Sequence, residues 1–150
     1  MINLAQERSV MVLKPQSVTA GATVTGLIDR LLVYDYCVVN ACLDSEASTS
    51  SFPSVISISE ADVTNSSSFV TLAPLTLGTP GNTSGYGTVP PADTQNPQIV
   101  RFSIDCRARK RYLKLSISPQ ATQLLSAVAT LARPRLSETP GAGMVALVTA

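Results

Sequence analysis

Between Val10 and Leu131 the chain is dominated by short strand-like runs, the clearest of them alternating with period two, separated by turn-forming residues. Ile99 to Ile104 alternates cleanly and sets Val100, Phe102 and Ile104 on one face. Arg111 to Ile117 does the same, with Leu113, Leu115 and Ile117 inward and Tyr112, Lys114 and Ser116 outward. Neighbouring side chains on an extended backbone point to opposite faces, so only a sheet buries every second residue in this way. A chain written like this folds as β-structure.

The other segments extend the pattern. Val10 to Leu13 is a short apolar run stopped by Pro15, and Ala22 to Ile28 is rich in Thr and Val and ends before Asp29-Arg30. Leu31 to Cys42 is the strongest strand candidate, with Leu31, Val33, Cys37, Val39 and Ala41 on one face. Leu32, Tyr34, Tyr36, Val38 and Cys42 share the other face with Asn40, so this strand is expected to be packed on both sides, in a sandwich core or under a neighbouring subunit. Asp35 interrupts the first face and, buried there, would need a partner such as an arginine. Val55 to Glu60 follows, with Ile56 and Ile58 inward; Asp62 to Ser68 is a turn, and Phe69 to Ala73 is the hairpin partner. Gln120 to Leu131 fits two periods: Leu124, Leu125, Val128 and Leu131 make a helical stripe, while Val128, Thr130 and Ala132 suit a strand. With so many strands before it, we read it as the strand that completes a sheet. The expectation is one all-β domain over 1–150, an antiparallel, jelly-roll-like β-sandwich.

Three stretches stand apart. Residues 1–20 are read as an N-terminal segment or arm. Pro74 to Pro97 holds Pro80-Gly81-Asn82, Ser84-Gly85-Tyr86-Gly87 and Pro90-Pro91 and reads as a long loop, a length that is usually functional or disordered. Tyr86 between glycines, and Val89 before the proline pair, are candidate anchors on a partner. Residues 139–150 pass from Pro140-Gly141-Ala142-Gly143 into an apolar run with Met144 and Leu147, to be buried as a last strand or laid on a neighbour as an arm.

Composition narrows the function. Only 14% of the residues are charged, against about a quarter in ordinary domains, so much of the surface is expected to be covered in an assembly. A monomer kept soluble by its hydroxyl side chains is the other reading. There is no histidine, which removes the ordinary Ser-His-Asp triad and the commonest general base near neutral pH. Glu60 with Asp62, and Asp44 with Glu46, are two-apart carboxylate pairs able to bind a hard cation but more simply solvated turn residues. Three cysteines without histidine make a poor zinc site, and Cys37 and Cys42 face opposite sides of one strand, so buried free thiols in a reducing compartment are expected. No phosphate-binding loop is present, and no enzymatic activity, metal or cofactor is expected. The first residues lack a basic start followed by an apolar run, and no stretch approaches the roughly 18 to 20 apolar residues of a membrane span.

Most of the 11 basic residues lie between Arg101 and Arg135, densest in Asp105-Cys106-Arg107-Ala108-Arg109-Lys110-Arg111-Tyr112. Nucleic-acid readers combine such charge with a platform of aromatics, but Tyr112 stands alone in this run and the net charge is only +1. In an extended segment Arg107, Arg109 and Arg111 project to one side, where their planar forks suit carboxylates. Those carboxylates belong either to a partner protein, which Lys110 would also meet, or to this chain, where Asp29, Asp35 and Asp105 are the candidates.

At these residues the chain resembles small structural proteins of tailed-phage heads, the capsid cement or decoration proteins. The resemblance rests on Ile28-Asp29, the Tyr- and Val-rich Leu31 to Val39, Ser59-Glu60-Ala61-Asp62, Phe69-Val70, and Asp105 with Arg107 to Leu115. It covers roughly residues 20 to 135, with two departures: no Asp-Gly pair in the polar turn, and the long Pro74 to Pro97 insertion. It implies a β-sandwich or jelly-roll-like protein on the virion surface, assembled in the host bacterial cytoplasm, that bridges adjacent major capsid proteins, and it offers no catalytic residue. Closed symmetry makes a dimer or trimer the expected assembly, and neither nucleic acid nor a membrane is an expected partner. Other expected roles are a head-tail connector, neck or tail component, or a carbohydrate- or receptor-binding module.

Overall fold

The computed structural model describes residues 7–31, 33–45, 53–77 and 94–134. Eight strands follow one another along them: β1 (Arg8–Val18), β2 (Val24–Asp29), β3 (Tyr34–Leu43), β4 (Val55–Ala61), β5 (Val70–Leu77), β6 (Gln98–Asp105), β7 (Tyr112–Ser118) and β8 (Gln123–Pro134). They form two antiparallel four-stranded sheets, in the orders β1-β8-β3-β6 and β2-β7-β4-β5. The chain is an all-β sandwich.

The pairings are nested. β4 pairs with β5, β3 with β6, β2 with β7 and β1 with β8, so the chain is one long antiparallel hairpin with its tip at β4–β5. Rolling that hairpin brings β8 against β3 and β7 against β4, which completes both sheets. Alternation decides which faces meet. Ile28, Ile56, Ile58, Leu113, Leu115 and Ile117 are fully buried on one sheet, opposite Val39, Ala41, Leu43, Phe102, Leu125 and Leu131 on the other. Each large aliphatic side chain contributes about 1.5–3 kcal/mol by leaving water. Gly26, buried in β2, lets the two sheets come close: a Cβ there would run into the carbonyl oxygen and side chain of Val12 in β1.

The ambiguous segment is a strand: β8 is central, between β1 and β3. Several boundaries differ from expectation. Pro15 does not end the first run, because β1 is an edge strand and Pro15 falls where its register slips between Leu13 and Gln16; a residue with no N–H is tolerated there. Most of the expected N-terminal segment is therefore sheet. Pro74 likewise sits inside β5, the other sheet's edge, in the irregularity between the Ser57–Thr76 and Ser59–Thr71 pairs. The Thr76 hydroxyl donates to the Leu72 carbonyl across it, at 3.0 Å. Residues 74–77 thus belong to a strand rather than to the long loop.

β3 starts at Tyr34, not Leu31. Asp29 Oδ1 accepts the Leu31 N–H at 2.9 Å and turns the chain, leaving Leu31 exposed with φ +55°. Among the described residues the inward face of β3 is covered, with Cys37, Val39, Ala41 and Leu43 buried; on the other face Tyr34 at the strand's start is buried, Tyr36 and Val38 are half-buried, and Cys42 is exposed. Asp35 is half-buried rather than enclosed in the core.

Candidate interaction surface

The basic run is a tight loop between β6 and β7, closed by the Arg109 N–H on the Cys106 carbonyl at 3.1 Å. Its inner side is held by Arg30, which is 3% exposed. The Arg30 guanidinium donates from Nε to the Lys110 carbonyl at 2.6 Å, from Nη2 to the Arg109 carbonyl, and from Nη1 to the Tyr34 carbonyl at 3.4 Å. The Arg30 N–H in turn donates to the Arg111 carbonyl at 3.2 Å. A buried guanidinium is stable only if its donors are satisfied, and its planar fork satisfies itself by fixing the loop backbone.

The outer side of the loop is matched one for one with carboxylates of the same chain. Arg107 pairs with Asp105 at 2.5 Å, Arg109 with Glu60 at 3.6 Å, Lys110 with Asp62 at 3.7 Å and Arg111 with Asp29 at 2.8 Å. Glu60 also accepts the Lys110 backbone N–H at 3.1 Å. Hydrogen bonds from Arg107 hold the Asp105 carboxyl down at about 2. Partial burial works against ionisation of Asp29, but hydrogen bonds from Arg111 and the Leu31 N–H outweigh it and its pKa is lowered. The expected one-sided row of arginines is absent because the segment is a loop, not a strand: Arg107 turns back to β6, Arg109 to β4 and Arg111 to β2. Glu60 and Asp62, read as solvated turn residues or a weak cation site, are counter-charges to this loop. Of the expected internal partners, Asp29 and Asp105 take part in these pairs; Asp35 accepts the Cys106 N–H through its backbone carbonyl at 2.7 Å.

So balanced a cluster presents little net field, which is poor ground for binding phosphates. Beside it Tyr36 lies under two cations, Arg107 at 5.8 Å and Arg133 at 5.3 Å from the ring centre. Arg30, Arg133 and Tyr36 had no signal in the local pattern, since the strands between them bring them together.

A different surface is open to a partner. On the outer face of β1-β8-β3-β6 the pairing lays out cross-strand rows: Ser9–Thr130–Val38–Ser103, Met11–Val128–Asn40–Arg101 and Ser126–Cys42–Ile99. The two central strands put no charged side chain on this face between Tyr36 and Cys42 or between Leu124 and Ala132. Met11, Ile99 and Leu124 are 61%, 68% and 49% exposed on it. At one end Pro15, Cys42, Pro97 and Leu124 border a shallow groove of about 200 Å³. Solvated sheet faces normally carry charged as well as polar residues, so the two central strands of this one are unusually poor in charge for a surface left in water.

Tyr86, Val89, Met144 and Leu147 lie outside the described residues, as does the body of the long loop and the whole of 139–150. Among the described residues no group of acidic or sulfur side chains is placed to hold a metal ion, and no helix is long and apolar enough to cross a membrane. No family model and no curated protein matches this chain.

Proposed function

We propose that this chain is a non-enzymatic virion structural protein of the cement or decoration type, which sits on the capsid surface and bridges adjacent major capsid proteins. The observation that carries the reading is the charge-poor outer face of β1-β8-β3-β6, whose two central strands carry no charged side chain on it and on which Met11, Ile99 and Leu124 are exposed, with Arg101 at its β6 edge. The resemblance of its motifs to phage head proteins gives the kind of partner. The nested winding supports reading the sandwich as a jelly roll, an architecture recurrent in capsid proteins. This reading moves the contact from the basic loop, whose charges are already matched, to the sheet face.

The mechanism is thermodynamic. A protein that binds only the assembled lattice stabilises it by mass action, and several contacts per clamp, or a dimeric or trimeric clamp, add avidity. Val38→Glu with Val128→Glu tests the face, because both valines are only half-buried in the isolated chain. The domain should keep its melting temperature while its occupancy on particles falls at least about tenfold, since an interface would bury the new carboxylates unpaired. Full occupancy with both glutamates in place would sink the assignment of this face. A density map of the particle then separates cement, present throughout the lattice, from a connector or tail component confined to one ring.

A further inference from the structure

Each sheet ends in two edge strands, and three of the four are blunted against further pairing. β1 carries Pro15 and slips register along β8. β5 carries Pro74 and an irregularity of its own against β4. β2 is only six residues long and lies close to β1, with Gly26 against Val12. β6 has none of these devices. Its eight residues, Gln98 to Asp105, pair with Leu43 to Tyr36 without a slip and without a proline or glycine, and among the described residues no strand lies on its other side.

The ladder fixes which backbone groups that edge offers. The Cys106 N–H donates to the Asp35 carbonyl at 2.7 Å, which continues the β3–β6 register by one step. Bonded pairs recur at every second residue of an antiparallel ladder, so Ile104, Phe102 and Val100 turn their N–H and C=O groups to β3. Ile99, Arg101, Ser103 and Asp105 therefore turn theirs away from the sheet. The side chains of these four are exposed on the outer face, while Val100, Phe102 and Ile104 are buried. Such a row of backbone donors and acceptors is a template for another strand.

Charge selects the strand. Two copies of β6 set antiparallel about a two-fold axis at Ser103 place Arg101 of each directly across from Asp105 of the other. Arg101 has no ion pair among the described residues, and the Asp105 side chain stays 47% exposed beside Arg107. An axis at Arg101 would set two like charges face to face, and one at Phe102 would set Ile99 against Asp105 and leave Arg101 opposite Ser103. We propose that β6 is the self-association edge of this chain, where two copies pair antiparallel through residues 101–105 and join their four-stranded sheets into one. The axis runs through the sheet from face to face, so both charge-poor outer faces lie side by side. The joined sheet ends in two β1 edges already blunted by Pro15, and pairing stops at two copies. The inference rests on the fold and not on the function proposed above.

Sedimentation equilibrium of the full chain over a range of concentrations tests it. The parent should dimerise. Ser103→Pro removes an N–H aimed at the open edge and none used by β3, so the circular dichroism should stay unchanged while association weakens at least about tenfold. The charge pair decides even if that variant misfolds, because both its positions are exposed. Arg101→Asp sets an aspartate across from Asp105, and Asp105→Arg sets an arginine across from Arg101, so each variant alone should be monomeric where the parent is dimeric. Mixed in equal amounts, the two should form a heterodimer, since every charge then faces its opposite. A parent that stays monomeric at every concentration, because a segment of its own chain covers the edge, overturns the proposal. So does a dimer that survives both single charge reversals, or a pair of variants that does not associate on mixing.

Discussion

Arg111 and Asp29 meet fork to fork: Nε donates to Oδ1 at 3.0 Å and Nη2 to Oδ2 at 2.8 Å. The next residue, Arg30, turns inward and bonds the carbonyls of Lys110 and Arg109. Residues 29 and 30 therefore grip the basic loop from both sides, one through its side chains and the other through its backbone. Much of the chain's positive charge serves this joint.

Acid should loosen the joint. The folded-state pKa of Asp29 is lowered below 3.8 and that of Asp105 to about 2. Carboxylates of this kind stabilise the fold fully above their unfolded values, and the contribution is lost as pH falls through the folded ones. Urea midpoints should drop from pH 4 towards pH 2. Asp29→Asn should lie below the parent at pH 7 and converge with it near pH 2; a constant gap across that range would show that Asp29 does not titrate through Arg111.

Arg30→Met should cost about 2–4 kcal/mol, because the carbonyls of Tyr34, Arg109 and Lys110 lose a charged donor in a buried place. Arg30→Lys should recover only part of this, since an ammonium has no planar fork. Denaturant titration measures both. A methionine variant as stable as the parent would mean that water already replaces the guanidinium.

Charge reversal at Arg111 tests whether pairing within the chain is its main role. Arg111→Asp alone should lower the urea midpoint, and adding Asp29→Arg should restore part of the loss but not the Leu31 N–H bond to Asp29. Unchanged stability in the single variant, with reduced particle occupancy, would return Arg111 to the partner-facing role expected from its spacing.

Gly26→Ala should be among the most damaging small substitutions. The added methyl meets the backbone oxygen of Val12, which cannot rotate away, so the two sheets must separate locally. A loss of about 2 kcal/mol or more in thermal or urea unfolding is expected. Alanine at the neighbouring exposed Thr25 is the control and should change little.

The local sequence by itself determined the class of fold and the core faces. Val100, Phe102 and Ile104 share a face, as do Leu113, Leu115 and Ile117, because successive residues of an extended chain point opposite ways and only one side can be buried. Strand ends were less legible. Pro15 and Pro74 read as stops, yet both lie within edge strands at slips of register, and edge position is set by the order of strands rather than by neighbours in sequence. Only the tertiary structure decided the partners of the charged side chains. Asp29 and Arg111 are 82 residues apart and Arg30 and Lys110 are 80 apart, while Cys37 and Cys106 come to lie on one face only because β3 and β6 pair. Alternation is a property of one strand; which acid a side chain finds depends on how the hairpin is rolled.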